Sequence, residues 1–333
     1  MKKVLLCLFI ILTMFVTSCS FSPKGAGVES VEHNDGINKQ ILDSVKILDD
    51  KVLDGIRNND LDKILEISGE EFKSNSSNFK NILVKTEEAL KGQSLEYKDR
   101  YYCKVNKIGK YNAIITDSND DSFNITVEAV NKDIFVSMIK TTSNKDDFLL
   151  TLIYIKENNE WKLYSVSAGN YSYGGMSAID LYEKAKSLEA QGYKVAANIY
   201  MGLCGKILRP VPFIQYKKET EMIDYGKKLQ QSISNEYAFP DKLKNNNNIQ
   251  LYGFRVEYTR NDGIIPVIRY VTSTGLDKKE ELKKEANDMD KEVTDKYKGL
   301  KENFKYVLYE AYSEPPIDPK KTYNDFRTGV EQK

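Results

Sequence analysis

The chain has 333 residues, 41% of them hydrophobic, with 49 Lys and Arg against 49 Asp and Glu and a single His. That length at near-ordinary hydrophobicity accommodates roughly two or three domains with real cores and excludes wholesale disorder. A net charge of zero argues against nucleic-acid binding through bulk charge, and one His excludes a His-rich metal centre and any catalytic scheme that needs two imidazoles.

Lys2 and Lys3 form a basic start, an apolar run from Val4 to Val16 broken only by Thr13 follows, and Thr17, Ser18 and Cys19 close it. The run fits the roughly 7–15 residues of a signal-peptide core and falls short of the roughly 20 that a membrane-spanning helix needs. The segment Val16-Thr17-Ser18-Cys19 resembles the lipobox of bacterial lipoproteins. The resemblance implies that residues 1–18 leave as a signal peptide and that Cys19 is diacylated and becomes the mature N-terminus. Two acyl chains anchor stably where one binds only marginally, so membrane lipid is the first expected partner. An ordinary secretory signal is the competing reading, because small residues also mark ordinary cleavage sites.

Residues 19–39 read as the lipidated Cys and a flexible tether, rich in Ser, Gly, Asn and charge and without an apolar period. His33 lies there and reads as a solvated linker residue. Cys103 and Cys204 are too few and too far apart for an exported disulfide scaffold and read as two buried free thiols, with one long-range disulfide between them as the competing reading.

Within residues 40–170, Ile41, Val45, Leu48, Val52 and Ile56 keep helical spacing, and Asp60 is placed to cap a short second helix through Ile64 and Leu65. A third helix is predicted from about Asn78 to Leu90. The pattern then turns to period two, which predicts strands near 95–105, 111–117, 122–130, 133–142, 147–157 and 160–168, separated by Gly-, Asn- and Asp-rich turns. Phe148–Ile155 is apolar on both faces and is expected to be central; the strand at Trp161–Val166 alternates and is expected to have a wetter face. Helices followed by a meander with Trp161 in its last strand resemble the nuclear-transport-factor-like (cystatin-like) roll over Ile41–Gly169. That resemblance implies a curved sheet wrapped around a helix and a conical cavity, used in different members for catalysis, ligand binding or dimerisation. No His lies in this stretch; Glu96, Asp99, Asp117 and Glu128 are its candidate carboxylates, and each reads more simply as a surface residue.

Residues 171–244 read as a helical section behind a Gly- and Tyr-rich joint, Gly169–Gly175. Leu181, Ala185, Leu188, Gly192, Ala197, Met201, Cys204 and Pro210 resemble the spacing of one tetratricopeptide-type hairpin, with Gly192 at the turn; a single unit is a packing element, not a peptide-binding array. Tyr171 and Tyr173 are candidate ligand-binding residues, as an exposed stacking platform for a sugar or a protein partner; pinning the joint is the competing role. Cys204 has no imidazole nearby in sequence to activate it and is rejected as a nucleophile.

Residues 245–333 read as a small α+β domain: strands at 251–258 and 264–272 joined by Arg260-Asn261-Asp262-Gly263, a helix with Leu282, Ala286, Met289, Val293, Tyr297 and Leu300 on one face, a strand at 304–312, and a polar tail. Pro266 places the second strand at an edge or a bulge. No phosphate loop, zinc spacing or nucleophile elbow is present in the mature sequence, and the pairs Asp49-Asp50, Asp120-Asp121 and Asp146-Asp147 lack the ligand spacing of a calcium loop and read as turn or surface. No cofactor or metal is expected. The whole reads as an α+β, membrane-anchored extracytoplasmic lipoprotein that acts as a non-enzymatic interaction or ligand-binding module, with an envelope protein as partner and no nucleic acid. The alternative is an enzyme working on a small molecule in the cavity of the first domain, through carboxylate and Tyr groups.

Overall fold

The structure is a computed structural model and describes residues 27–109, 112–116, 123–142, 146–245 and 249–332. The signal segment, Cys19, Asp117, Asp120-Asp121 and Asn246–Asn248 lie outside the described residues. The protein is a mixed α+β protein of two compact units, one built from Ser20–Ser177 with Ile207–Glu219, the other from Ala178–Lys206 with Thr220–Lys333.

The N-terminal unit begins with β1 (Val28–His33), which pairs antiparallel with β2 (Ser94–Val105), Val31 opposite Cys103 and His33 opposite Tyr101. This corrects the tether reading for residues 28–36. No β1 side chain is fully buried, so the segment carries no apolar signature; the open hydrogen-bonding edge of β2 makes it a strand. Helix α1 (Lys39–Arg57) starts where the Asn38 side chain accepts from the Gln40 amide at 2.8 Å, and α2 (Leu61–Glu66) starts at Asp60, whose carboxylate accepts from the Lys63 amide at 3.1 Å. A short α3 (Glu70–Ser74), absent from the sequence reading, precedes α4 (Ser76–Leu90).

The predicted meander splits. β2 pairs directly with β5 (Asp133–Thr142), followed by β6 (Phe148–Glu157) and β7 (Glu160–Asn170), in the order β1-β2-β5-β6-β7. β3 (Asn112–Thr116) and β4 (Phe123–Glu128) form a separate sheet with β10 (Ile214–Tyr216), Ile214 lying opposite Ile125. A partner nearly ninety residues on, by the numbering, leaves no local trace in the pattern of β4. β8 (Ser172–Tyr173) and β9 (Met176–Ser177) make a minimal hairpin whose Gly174 and Gly175 both adopt positive φ.

β6 is flanked on both sides and buried on both faces, and the outer strand β7 is half-exposed along much of its length. A Cβ on Gly169 of β7 would lie 1.9 Å from the Pro210 carbonyl oxygen, so only glycine lets that chain pass against the strand. The core lies between the helices and one face of the sheet: Val45, Val52 and Ile56 of α1 and Phe79, Leu83 and Leu90 of α4 share it with Tyr102, Phe135, Ile139, Leu150, Leu152 and Leu163. Trp161 packs edge-on against Tyr102 and Phe135 at its rim.

The C-terminal unit opens with the hairpin of α5 (Ala178–Ala190) and α6 (Lys194–Ile207), turned at Gly192 with φ +84°, followed by α7 (Glu219–Glu236). Its sheet runs β11 (Asp241–Lys242), β12 (Gln250–Thr259), β13 (Gly263–Val271), β14 (Tyr306–Tyr312), β15 (Asp325–Glu331). β12 and β13 form the expected hairpin. β13 and β14 are parallel, which requires a crossover, supplied by α8 (Lys279–Lys296) and α9 (Leu300–Asn303). Leu282, Ala286, Met289, Val293, Tyr297 and Leu300 are all buried.

Two expectations are corrected here. β13 is a central strand, not an edge; Pro266 is tolerated because the β14 ladder starts only at Val267, so the missing N–H lies where β13 has one neighbour. The polar tail ends in β15, where exposed Asp325, Arg327 and Glu331 alternate with half-buried Phe326, Thr328 and Val330. Charge on alternate positions is how an edge strand avoids further pairing, and it hides the strand from a hydrophobicity reading.

Candidate functional site

Asp49 lies on the apolar stripe of α1, one turn from Val45 and Val52, and is 1% exposed. This corrects the surface reading of the Asp49-Asp50 pair: the helix presents Asp49 to the sheet. Three strands answer it with hydroxyls. Tyr154 of β6 donates to Oδ1 at 2.7 Å; Ser137 of β5 and Tyr97 of β2 donate to Oδ2 at 2.8 and 2.9 Å. Ser137 and Tyr154 are fully buried and Tyr97 is half-buried.

No donor to Asp49 carries a positive charge. Burial raises its carboxyl pKa to about 6, with the three hydroxyl bonds opposing the rise and the charge of Asp50 adding to it. Both phenols are raised in turn, first by burial and then by the Asp49 charge. The signal was present in the sequence: an acidic residue spaced four and three from apolar stripe positions faces the core, and a buried carboxylate demands hydrogen-bond partners.

A second buried carboxylate sits in the C-terminal unit. Glu310 of β14, 1% exposed, takes two bonds from Arg255 of β12 (Nη2 at 2.6 Å, Nε at 3.1 Å), and Arg327 of β15 lies 2.6 Å from the same oxygen Oε1. Burial works to raise its pKa, but the bonds from Arg255 and Tyr312 and the charges of Arg255 and Arg327 outweigh it, and the net direction is down. Arg255 also bonds Glu257, and Arg327 bonds Glu257 at 3.2 Å and Asp325 at 2.7 Å.

The carboxylates singled out from sequence stand elsewhere. Glu96 pairs with Lys140 at 2.9 Å, Glu128 accepts from Tyr164 at 3.0 Å, and Asp99 accepts from Lys98 at 2.8 Å. None of these carboxylates bonds Asp49. Asp99 is also 2.9 Å from Nε2 of His33, whose ring stacks on Tyr101 at 4.7 Å between centroids; this corrects the solvated-linker reading, since the β1 pairing sets His33 beside the sheet. Tyr171 is half-buried, its amide bonded to the Asp147 carbonyl at 2.8 Å and its ring 5.8 Å from the Lys98 ammonium. Tyr173, also half-buried, has its hydroxyl 2.9 Å from the Asn170 side-chain amide.

Cys103 and Cys204 are buried free thiols in different units, and burial pushes each up to about 12. Cys204 Sγ donates to the Ala178 carbonyl at 3.3 Å. Among the described residues no cluster of three His, Cys, Asp or Glu is placed to hold a metal ion, and no helix is long and apolar enough to cross a membrane. Comparison with protein-family models, curated proteins and solved structures finds no match to this chain.

Proposed function

We propose that the protein is a membrane-anchored extracytoplasmic lipoprotein whose two units serve as non-enzymatic interaction or ligand-binding modules of the cell envelope, held to the membrane by acylated Cys19. The observation that carries this reading is the segment from Lys2 to Cys19: basic start, apolar run too short to span, and a Val-Thr-Ser-Cys end. The resemblance of the first unit to the nuclear-transport-factor-like roll belongs to the same proposal; helices packed on one face of an antiparallel sheet support it.

The test is metabolic labelling with an alkyne fatty acid, followed by detergent phase partitioning of the native chain and of Cys19→Ala. Label and detergent-phase recovery that both depend on Cys19 are expected. Equal label on the two forms, or aqueous partitioning of the native chain, would overturn the anchor. In-cell crosslinking of the same pair then identifies the envelope partner.

A second reading, an enzyme acting on a small molecule within the first unit, is favoured by one observation, the convergence of two phenols and a serine on the Asp49 carboxylate. Against it, Asp49, Tyr154 and Ser137 are buried, and the hydroxyls of Tyr154 and Ser137 are already bonded to the Asp49 carboxylate. Turnover of a small substrate by the purified chain, lost in Asp49→Asn, would restore it.

A further inference from the structure

The Asp49 cluster joins one helix to three strands of the same sheet through a single carboxylate. α1 contributes Asp49; β2, β5 and β6 contribute Tyr97, Ser137 and Tyr154. Every one of these bonds crosses from α1 to the sheet, so the cluster is the polar part of the contact that holds α1 in place, set within Val45, Val52 and Ile56. A buried carboxylate is ordinarily neutralised by a cation, and among the described residues none bonds it.

The charged groups around the cluster do not alter that account. On α1 the neighbour is Asp50, of the same sign as Asp49. On β2, the Arg100 guanidinium lies 4.7 Å from the Tyr97 ring centroid and acts on the phenol. β5 and β6 present Ser137 and Tyr154 beside Phe135, Ile139, Leu150 and Leu152. α4 turns Phe79, Leu83, Thr86 and Leu90 inward, and Thr86 bonds the Ile82 carbonyl of its own helix. α2 and β7 contribute Ile64, Leu163 and Val166 to the same core. Negative charge on Asp49 therefore stands against hydroxyl dipoles alone, whereas the neutral acid satisfies the same site without a charge to solvate.

We infer that the Asp49 cluster is a proton-operated clasp, in which uptake of one proton by the Asp49 carboxylate tightens the hold of α1 on the sheet and its release loosens it. The step is a simple protonation: the new O–H of Asp49 donates to the Tyr97 oxygen, and the half-buried Tyr97 turns its own O–H from the carboxylate to water, while Ser137 and Tyr154 go on donating. The clasp goes beyond the anchoring reading and does not depend on it. It gives the first unit a gain on acidification, opposite in sign to the contribution of Glu310 in the second unit.

The sign is set by burial. The folded carboxyl binds its proton at about pH 6 and the unfolded one at its ordinary 3.8, so the stabilisation is complete below the lower value and fades as pH rises through the upper one. Amide hydrogen exchange of the full chain, corrected for intrinsic rate and read over residues 39–57, tests it. About tenfold greater protection is expected at pH 5 than at pH 7.5, with α8 as the internal reference that does not follow. In Asp49→Asn the pH dependence of α1 disappears. Should that variant fail to fold, Tyr154→Phe, which removes a bond that favours the ionised form, is expected to move the midpoint of the α1 response to higher pH. Protection of α1 that ignores pH, that moves with α8, or that keeps its dependence in Asp49→Asn would overturn the clasp, as would an unmoved midpoint in Tyr154→Phe.

Discussion

Asp49 and Glu310 are both 1% exposed and are held in opposite ways. Three hydroxyls meet Asp49, and its carboxyl rises to about 6; two guanidiniums meet Glu310, and its carboxyl falls below the usual 4.5. Burial pushes both groups upward, more strongly at the more deeply set Asp49, and the partners decide the net sign. Dipoles offset part of a desolvation penalty, and fixed opposite charges at hydrogen-bond distance reverse its sign. A buried carboxylate thus does not announce its own chemistry; the strand register around it does. Arg327 stands opposite Glu310 across the β14–β15 pair, while the strands facing Asp49 bring it no cation.

The largest effect is expected at Glu310. Glu310→Gln removes the buried acid of a network in which Glu257 still pairs with both Arg255 and Arg327, and losing its charged hydrogen bonds is expected to cost about 2–3 kcal/mol. Denaturant unfolding followed by exchange in β14 measures it. Asp49→Asn under the same conditions at pH 8 is expected to be neutral or stabilising, because it removes a buried charge that only neutral hydroxyls meet. A comparable loss from both variants would break the comparison.

Next in size is the response to acid. Between pH 8 and pH 4 the Asp49 carboxyl takes up its proton in the folded state first, and the N-terminal unit gains about 2 kcal/mol from this group. Glu310 works the other way: its contribution is present above the ordinary carboxylate range and is lost as pH falls through its lowered folded value. Unfolding of the two units followed separately from pH 8 to below pH 4 is expected to show slopes of opposite sign from these groups, that of Glu310 confined to below its ordinary 4.5, with the first slope abolished in Asp49→Asn.

The smallest effects sharpen the account of the hydroxyls. Tyr154→Phe removes a fully buried donor and is expected to cost about 1–2 kcal/mol at pH 8, with less loss at pH 4.5 where the acid is neutral. Tyr97→Phe removes a half-buried donor whose place water can take, and about 0.5 kcal/mol is expected. Equal losses from the two tyrosines would mean that burial does not rank them.

Much of the fold was legible in local pattern. The stripe through Val45, Val52 and Ile56, the Asp60 cap, the two-faced apolar run of β6, the Gly192 turn and the buried face of α8 all rest on interactions within a few residues, which spacing reports directly. The candidate site was half legible: Asp49 stood on the apolar stripe, but Tyr97, Ser137 and Tyr154 come from three strands whose register no single segment encodes. Glu310 was invisible for the same reason, since Arg255 and Arg327 reach it from two other strands.

By itself, then, the sequence determined the longer helices, most strands, the α+β class and the identity of the groups able to carry charge or donate hydrogen bonds. The tertiary structure decided that residues 28–33 and 325–331 are strands, that β4 takes β10 as a partner, and which carboxylate meets hydroxyls and which meets guanidinium. Helical stripes and caps are set by neighbours in the chain, whereas edge strands and buried polar partners are set by whichever distant segment closes the sheet, and only the closed sheet fixes the dielectric and charge around each acid.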